Sequence, residues 1–98
     1  MTLTEESRPS LQPFVRLQFD EVREGWVLQA PERVLLLDES GKTILDRCTG
    51  TASIAEIIDS LVAEYDAPRE VIAEDVMAVL GLLAERDFLR LSDDEGAS

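Results

Sequence analysis

Cys48 is the single thiol in the sequence, and no histidine accompanies it. Nucleophilic catalysis needs a base within hydrogen-bond reach of the nucleophile, and protein metal sites draw chiefly on cysteine and histidine. Neither set is available. Acidic pairs such as Glu74–Asp75 and Asp93–Asp94 read as solvated surface, and Cys48 sits among apolar residues. The residue types point to a protein that is not an enzyme and carries no cofactor or metal.

Two further motifs could carry chemistry. Asp59–Ser60–Leu61 reproduces the tripeptide on which small acidic acyl carrier proteins, which resemble this chain in size and charge, bear a phosphopantetheine arm. Such a serine opens a helix after a loop. Ser60 falls in mid-helix, roughly 130° from the centre of the apolar face at 3.6 residues per turn. An acidic carrier protein modified at Ser60 is therefore kept only as the alternative reading. The second motif is a pair of helices joined by Asp66–Pro68, spaced like a helix-turn-helix. A recognition helix offers Arg, Lys, Asn or Gln to bases and phosphates. The second helix of this pair offers Arg69 and Arg86 beside Glu70, Glu74, Asp75, Glu85 and Asp87.

The whole composition agrees. Nine basic residues against 21 acidic ones give a net charge of −12, which opposes binding to nucleic acid and to an anionic membrane surface. The expected partner is neutral, basic or mainly apolar at the contact. The first ten residues have neither the basic nor the apolar region of a signal peptide, and a lone cysteine fits a reducing compartment, so the expected location is cytoplasmic. At 98 residues the chain is sized for one domain. Its expected span is residues 13–91, between flexible tails at 1–12 and 92–98.

The elements that would position a site follow from hydrophobic period. Val15, Leu17 and Phe19 alternate with polar residues, as on a half-buried strand. Arg23–Gly25 supplies turn chemistry, Trp26–Ala30 is the return strand, and Pro31 separates it from a third strand, Arg33–Leu37. Connections this short favour an antiparallel meander. Asp38–Cys48 suits a short helix capped by Asp38 or Ser40, with Gly50 placed to stop it. Ser53 and Glu56 have capping-box spacing ahead of Ile54, Ile57, Ile58, Leu61, Val62 and Tyr65, an amphipathic helix. Pro68 opens a third helix running to about Asp87. Its apolar stripe is Ile72, Val76, Val79, Leu80 and Leu83, with Val71 and Leu82 as a side patch. Phe88–Leu91 closes the core or adds a short strand. The fold class is α+β and winged-helix-like: a three-stranded antiparallel sheet followed by three helices.

One segment resists the usual pattern. Val34, Leu35, Leu36 and Leu37 are all apolar, so neither face of their strand is marked as wet. In a three-stranded meander this strand lies at an edge unless Phe88–Leu91 pairs with it. Proteins normally protect a bare apolar edge. Left open beside the side patch of the third helix, it is suited to take an extended peptide as an added strand.

These residues resemble a known family. "RLQFDEVREGWVLQAPERVLLLDE", "TILDRCTGTASIAEII" and "LAERDFL", in that order and spacing, are similar to the pyrroloquinoline quinone biosynthesis protein D (PqqD) family over about Phe14 to Leu91. The resemblance implies a non-catalytic peptide chaperone in pyrroloquinoline quinone (PQQ) biosynthesis, of the type that recognises ribosomally made, post-translationally modified peptides (RiPPs). It implies two partners, the precursor peptide PqqA and the radical S-adenosylmethionine (SAM) enzyme PqqE. The precursor would be held as an added strand between the third strand and the third helix. Carried onto this sequence, the peptide-binding residues are Arg33, Val34, Leu35, Leu36 and Leu37 on the strand, with Val71, Asp75, Val76, Val79 and Leu82 on the helix. Members also occur fused to other pathway proteins, in which case the N-terminal tail would be linker. A bare edge can pair with its own copy, so the expected state is a monomer or weak dimer.

Overall fold

A computed structural model describes residues 3–93. The elements, in chain order, are β1 (Ser7–Leu11), β2 (Arg16–Asp20), β3 (Gly25–Ala30), β4 (Arg33–Leu37), α1 (Glu39–Asp46), α2 (Ile54–Tyr65), α3 (Arg69–Glu85) and β5 (Leu89–Asp93). The expected meander is present: β2, β3 and β4 form an antiparallel three-stranded sheet in sequence order, with the three helices following. The fold is α+β and winged-helix-like.

The helices begin as their capping residues dictate. The Asp38 carboxylate accepts from the Gly41 amide at 2.7 Å and starts α1. Ser53 and Glu56 form the reciprocal capping box that starts α2, satisfying amide donors that lack a partner inside the helix. The α2 face Ile54–Ile57–Ile58–Leu61 packs with Val76, Leu80 and Leu83 of α3, Leu28 of β3 and Ile44 of α1 in one core. Each large aliphatic side chain buried this way contributes about 1.5–3 kcal/mol. Tyr65, read from sequence as part of that face, is instead 53% exposed at the last residue of α2, where the helix runs past the core.

Two expectations are corrected. Residues 7–11, assigned to a flexible tail, form β1, which pairs antiparallel with β5 from Ser7↔Asp93 to Leu11↔Leu89 in a second, two-stranded sheet. Ser7 and Pro9 are fully buried. Pro9 is tolerated because the edge of β1 away from β5 carries only an isolated bridge, Ser10↔Thr49, and needs no full ladder of donors; there the Pro9 carbonyl accepts from Gly50 N at 2.9 Å. Ser92 and Asp93, assigned to the other tail, belong to β5 for the same reason. The rest of the two tail assignments, residues 1–2 and 94–98, lies outside the described residues.

Gly50 also has a different role. The C-cap of α1 is already Arg47, so Gly50 does not end that helix. It takes φ +88° and approaches β1 so closely that an added Cβ would meet the Ser10 Cβ at 3.4 Å.

Candidate functional site: an unpaired strand beside a helical stripe

The register of the sheet decides which way each residue of β4 points. Leu35 and Leu37 lie opposite Leu28 and Trp26 of β3 and pack against the core. Val34 and Leu36 lie opposite Gln29 and Val27 on the outer face, and remain 54% and 61% exposed. Among the described residues β4 pairs only with β3, and β5 pairs with β1 in the other sheet. The backbone of β4 on its second edge is therefore without a strand partner.

Both ends of β4 are set beside α3. At its start, the Arg33 guanidinium donates to the Arg86 carbonyl at 2.6 Å and lies 5.5 Å from the centroid of the Phe88 ring. This fixes the first residue of β4 at the C-terminal cap of α3. At its end, β4 runs into α1, whose Glu39 and Ser40 line a cleft together with Ile72, Asp75 and Val76 in the first half of α3. The start of β4 thus lies by the end of α3, and the end of β4 leads toward the first half of α3.

The helical residues assigned to the site divide by depth. Val71 and Leu82 are 52% and 43% exposed, Asp75 is exposed and Val79 is half-buried. Val76 is fully buried in the core and offers only a floor. Val71 and Leu82 are eleven positions apart, which at 1.5 Å per residue is about 16 Å and close to three whole turns. A five-residue strand spans about the same length. The exposed side patch of α3 from Val71 to Leu82 and the open edge of β4 are therefore matched in length.

The cleft adds residues the sequence reading did not single out. Trp26, Lys42 and Tyr65 line it with Glu39. Periodicity placed Tyr65 in the core and made Trp26 an ordinary strand residue. No local pattern marks them, since they come from β3, α1 and α2 and meet only in the fold.

The remaining candidates for chemistry are accounted for structurally. The Cys48 thiol is buried, donates to the Ile44 carbonyl at 3.4 Å, and burial pushes its pKa up to about 12, which suppresses the reactive thiolate. The Ser60 hydroxyl lies inside α2, donates to the Ile57 carbonyl at 2.9 Å and accepts from Arg47 Nε at 3.0 Å. It does not open a helix as a carrier serine would. Arg69 is engaged by Glu5 at 2.8 Å and Asp59 at 3.0 Å, and is not presented for phosphates. No helix among the described residues is long and apolar enough to cross a membrane.

Fold and site together define a class: small winged-helix-like domains whose sheet ends in an unpaired apolar strand alongside an exposed helical stripe. Within it, residues 25–89 match the sequence model of coenzyme PQQ synthesis protein D, and the chain belongs to the PqqD family. It is 46% identical over 89 residues to the PqqA binding protein of Bradyrhizobium diazoefficiens, covering 91% of this chain and 86% of that one. It is 42% identical over 90 residues to the PqqA binding protein of Xanthomonas oryzae pv. oryzae, covering 92% and 98%. Among solved structures it is similar to the solution NMR structure of the PqqD truncation of Methylobacterium extorquens PqqCD, described as a functional, stand-alone RiPP recognition element. That match has TM-score 0.78 and 35% identity, over 91% of this chain and 95% of that one. The crystal structure of PqqD from Xanthomonas campestris matches at TM-score 0.58 and 42% identity, over 91% and 99%.

Proposed function

We propose that this domain is a non-catalytic binding protein for the precursor peptide PqqA in PQQ synthesis. The peptide joins the open edge of β4 as an added strand and lays alternate side chains against the α3 stripe. The domain then presents it to the radical SAM enzyme PqqE, the partner that the family resemblance implies. One observation carries this reading: β4 has a bare edge of the same length as the exposed patch Val71–Leu82 on α3, the helix whose C-terminal cap Arg33 holds. In such a mode the backbone hydrogen bonds supply affinity and the flanking surfaces read side chains. That relatives at 42–47% identity are called PqqA binding proteins supports the choice of peptide. The burial of the one thiol and the want of a base beside it support a role without catalysis.

A titration of the 15N-labelled domain with synthetic PqqA tests partner and site together. Amide shifts are expected to concentrate at residues 32–38 and 71–83, with the mass of the peptide unchanged. Shifts confined to the β1–β5 sheet, or none at micromolar peptide, would overturn the reading. Leu36→Asp puts a charge beside the incoming apolar strand and is expected to weaken binding about tenfold, or about 1.4 kcal/mol. Leu36 points away from the core, so that loss is separable from a loss of fold.

A further inference from the structure

Just past the end of β4, a cleft of about 580 Å³ lies between α1, α2 and α3 with Trp26 of β3 on its wall. We propose that this cleft is a specificity subsite for a lysine or arginine of the bound peptide, carried on the residue that leaves the added strand beside Leu37. The proposal rests on the added-strand reading above and names a side-chain chemistry which that reading leaves open.

Its floor is apolar. Ile44, Leu61 and Val76 line it and are all buried, so the floor favours methylene groups over a short polar side chain. Its rim is anionic. Glu39 and Asp75 both line the cleft and are exposed, and among the described residues neither carboxylate has an ion pair or hydrogen bond. Asp38, next to Glu39 in sequence, is by contrast spent on capping α1.

The one cation lining the cleft among the described residues is already committed. Lys42 Nζ is 2.7 Å from Asp46 Oδ2 and 4.4 Å from the centroid of the Trp26 ring. Lys42 thereby demonstrates the chemistry on offer, an ammonium over an aromatic face with its stem on apolar surface. The Tyr65 ring, 53% exposed on the same cleft, has no such cover among the described residues.

A long basic side chain satisfies all three features at once. Its methylenes cover the floor, its charge meets Glu39 and Asp75, and Tyr65 supplies the aromatic face. An acidic side chain would meet two like charges, and a purely apolar one would leave both carboxylates unpaired over a desolvated floor. The cleft opens where β4 ends and α1 begins, so a peptide paired along Arg33–Leu37 reaches it on leaving the strand.

A double-mutant cycle tests this. Synthetic PqqA, and versions with each lysine and arginine replaced in turn by norleucine, are titrated calorimetrically into the wild-type domain and the Glu39→Gln/Asp75→Asn variant. One replacement is expected to weaken binding to the wild type about five- to tenfold, from a partly desolvated charge pair and a cation–π contact. Its effect on the variant should be less than twofold. The variant should also bind unmodified peptide more weakly, with a flatter salt dependence.

If the variant binds like wild type, or if no replacement loses its effect on the variant, the subsite is wrong. Leu36→Asp separates the two claims. Weakening by Leu36→Asp without coupling at the cleft overturns the subsite alone. Coupling at the cleft without weakening by Leu36→Asp overturns the added strand and keeps the subsite. Circular dichroism of the variants establishes that exposed substitutions leave the fold intact.

Discussion

Arg33 and Arg86, 53 residues apart, are joined by a hydrogen bond of 2.6 Å from the Arg33 guanidinium to the Arg86 carbonyl. The same guanidinium lies over the Phe88 ring. This contact sets one end of the groove, because it fixes where β4 starts relative to where α3 stops. The Arg86 carbonyl is one of the helix-end acceptors that would otherwise need water. Arg33→Met keeps the length of the side chain and removes both interactions. It is expected to cost about 1 kcal/mol, or about 4–8 °C in Tm for a domain of this size. Amide exchange in Arg33–Leu37 should accelerate more than exchange in β3, which hydrogen–deuterium exchange would resolve.

Neighbouring leucines of β4 should respond very unequally to the same change. Leu36 is on the outer face and Leu35 packs on the core. Leu36→Asp is expected to lower stability by less than about 1 kcal/mol. Leu35→Asp forces a carboxylate against apolar neighbours and should cost about 3 kcal/mol or more, a large share of a typical 5–15 kcal/mol. Urea melts of both variants check the assignment of faces directly. Equal losses would mean that the strand does not sit in this register.

Removal of residues 1–11 should be damaging, although their composition is that of a tail. β1 is the partner of β5, and the chain just after it continues the link through Gln12 N, which donates to the Phe88 carbonyl at 3.0 Å. Without β1, β5 loses its ladder, and the buried Phe88 and Leu89 lose neighbouring cover. The expected loss is about 3 kcal/mol or more, read as a lower denaturation midpoint or failure to fold. An unchanged midpoint would contradict the β1–β5 pairing.

The N-terminal segment is also held by charge. Arg69 binds both Glu5 and Asp59, and the Glu5 carbonyl accepts from Ala55 N at 2.8 Å. The hydrogen bond from Arg69 holds the Glu5 carboxyl below the ordinary glutamate range. A depressed folded-state pKa means the tie is complete above the unfolded value of about 4.3 and is lost as pH falls through the folded one. Carboxyl NMR titration should show Glu5 as a low-titrating glutamate, moving upward in Arg69→Met. The pair is exposed, so the effect on global stability should be small.

Much of this protein is legible in its residues without a structure. Local period wrote β2, β3 and the amphipathic α2, and the four-residue capping box Ser53–Glu56 wrote the start of α2. The want of histidine argues against nucleophilic catalysis, and the acidic charge against phosphate binding, from the residues alone. What local period does not carry is a choice between distant partners. Ser7–Leu11 is polar and contains a proline, and is a strand only because β5, more than 75 residues away, supplies its ladder. β4 keeps an open edge because β5 lies in the sheet with β1 and not beside it. Likewise Val34–Leu37 has no polar residue to mark a wet face. Only the packing of Leu35 and Leu37 against the helices decides that Val34 and Leu36 look outward. The cleft is the extreme case: Trp26, Glu39, Lys42, Tyr65 and Asp75 come from four elements, and tertiary structure alone makes them neighbours.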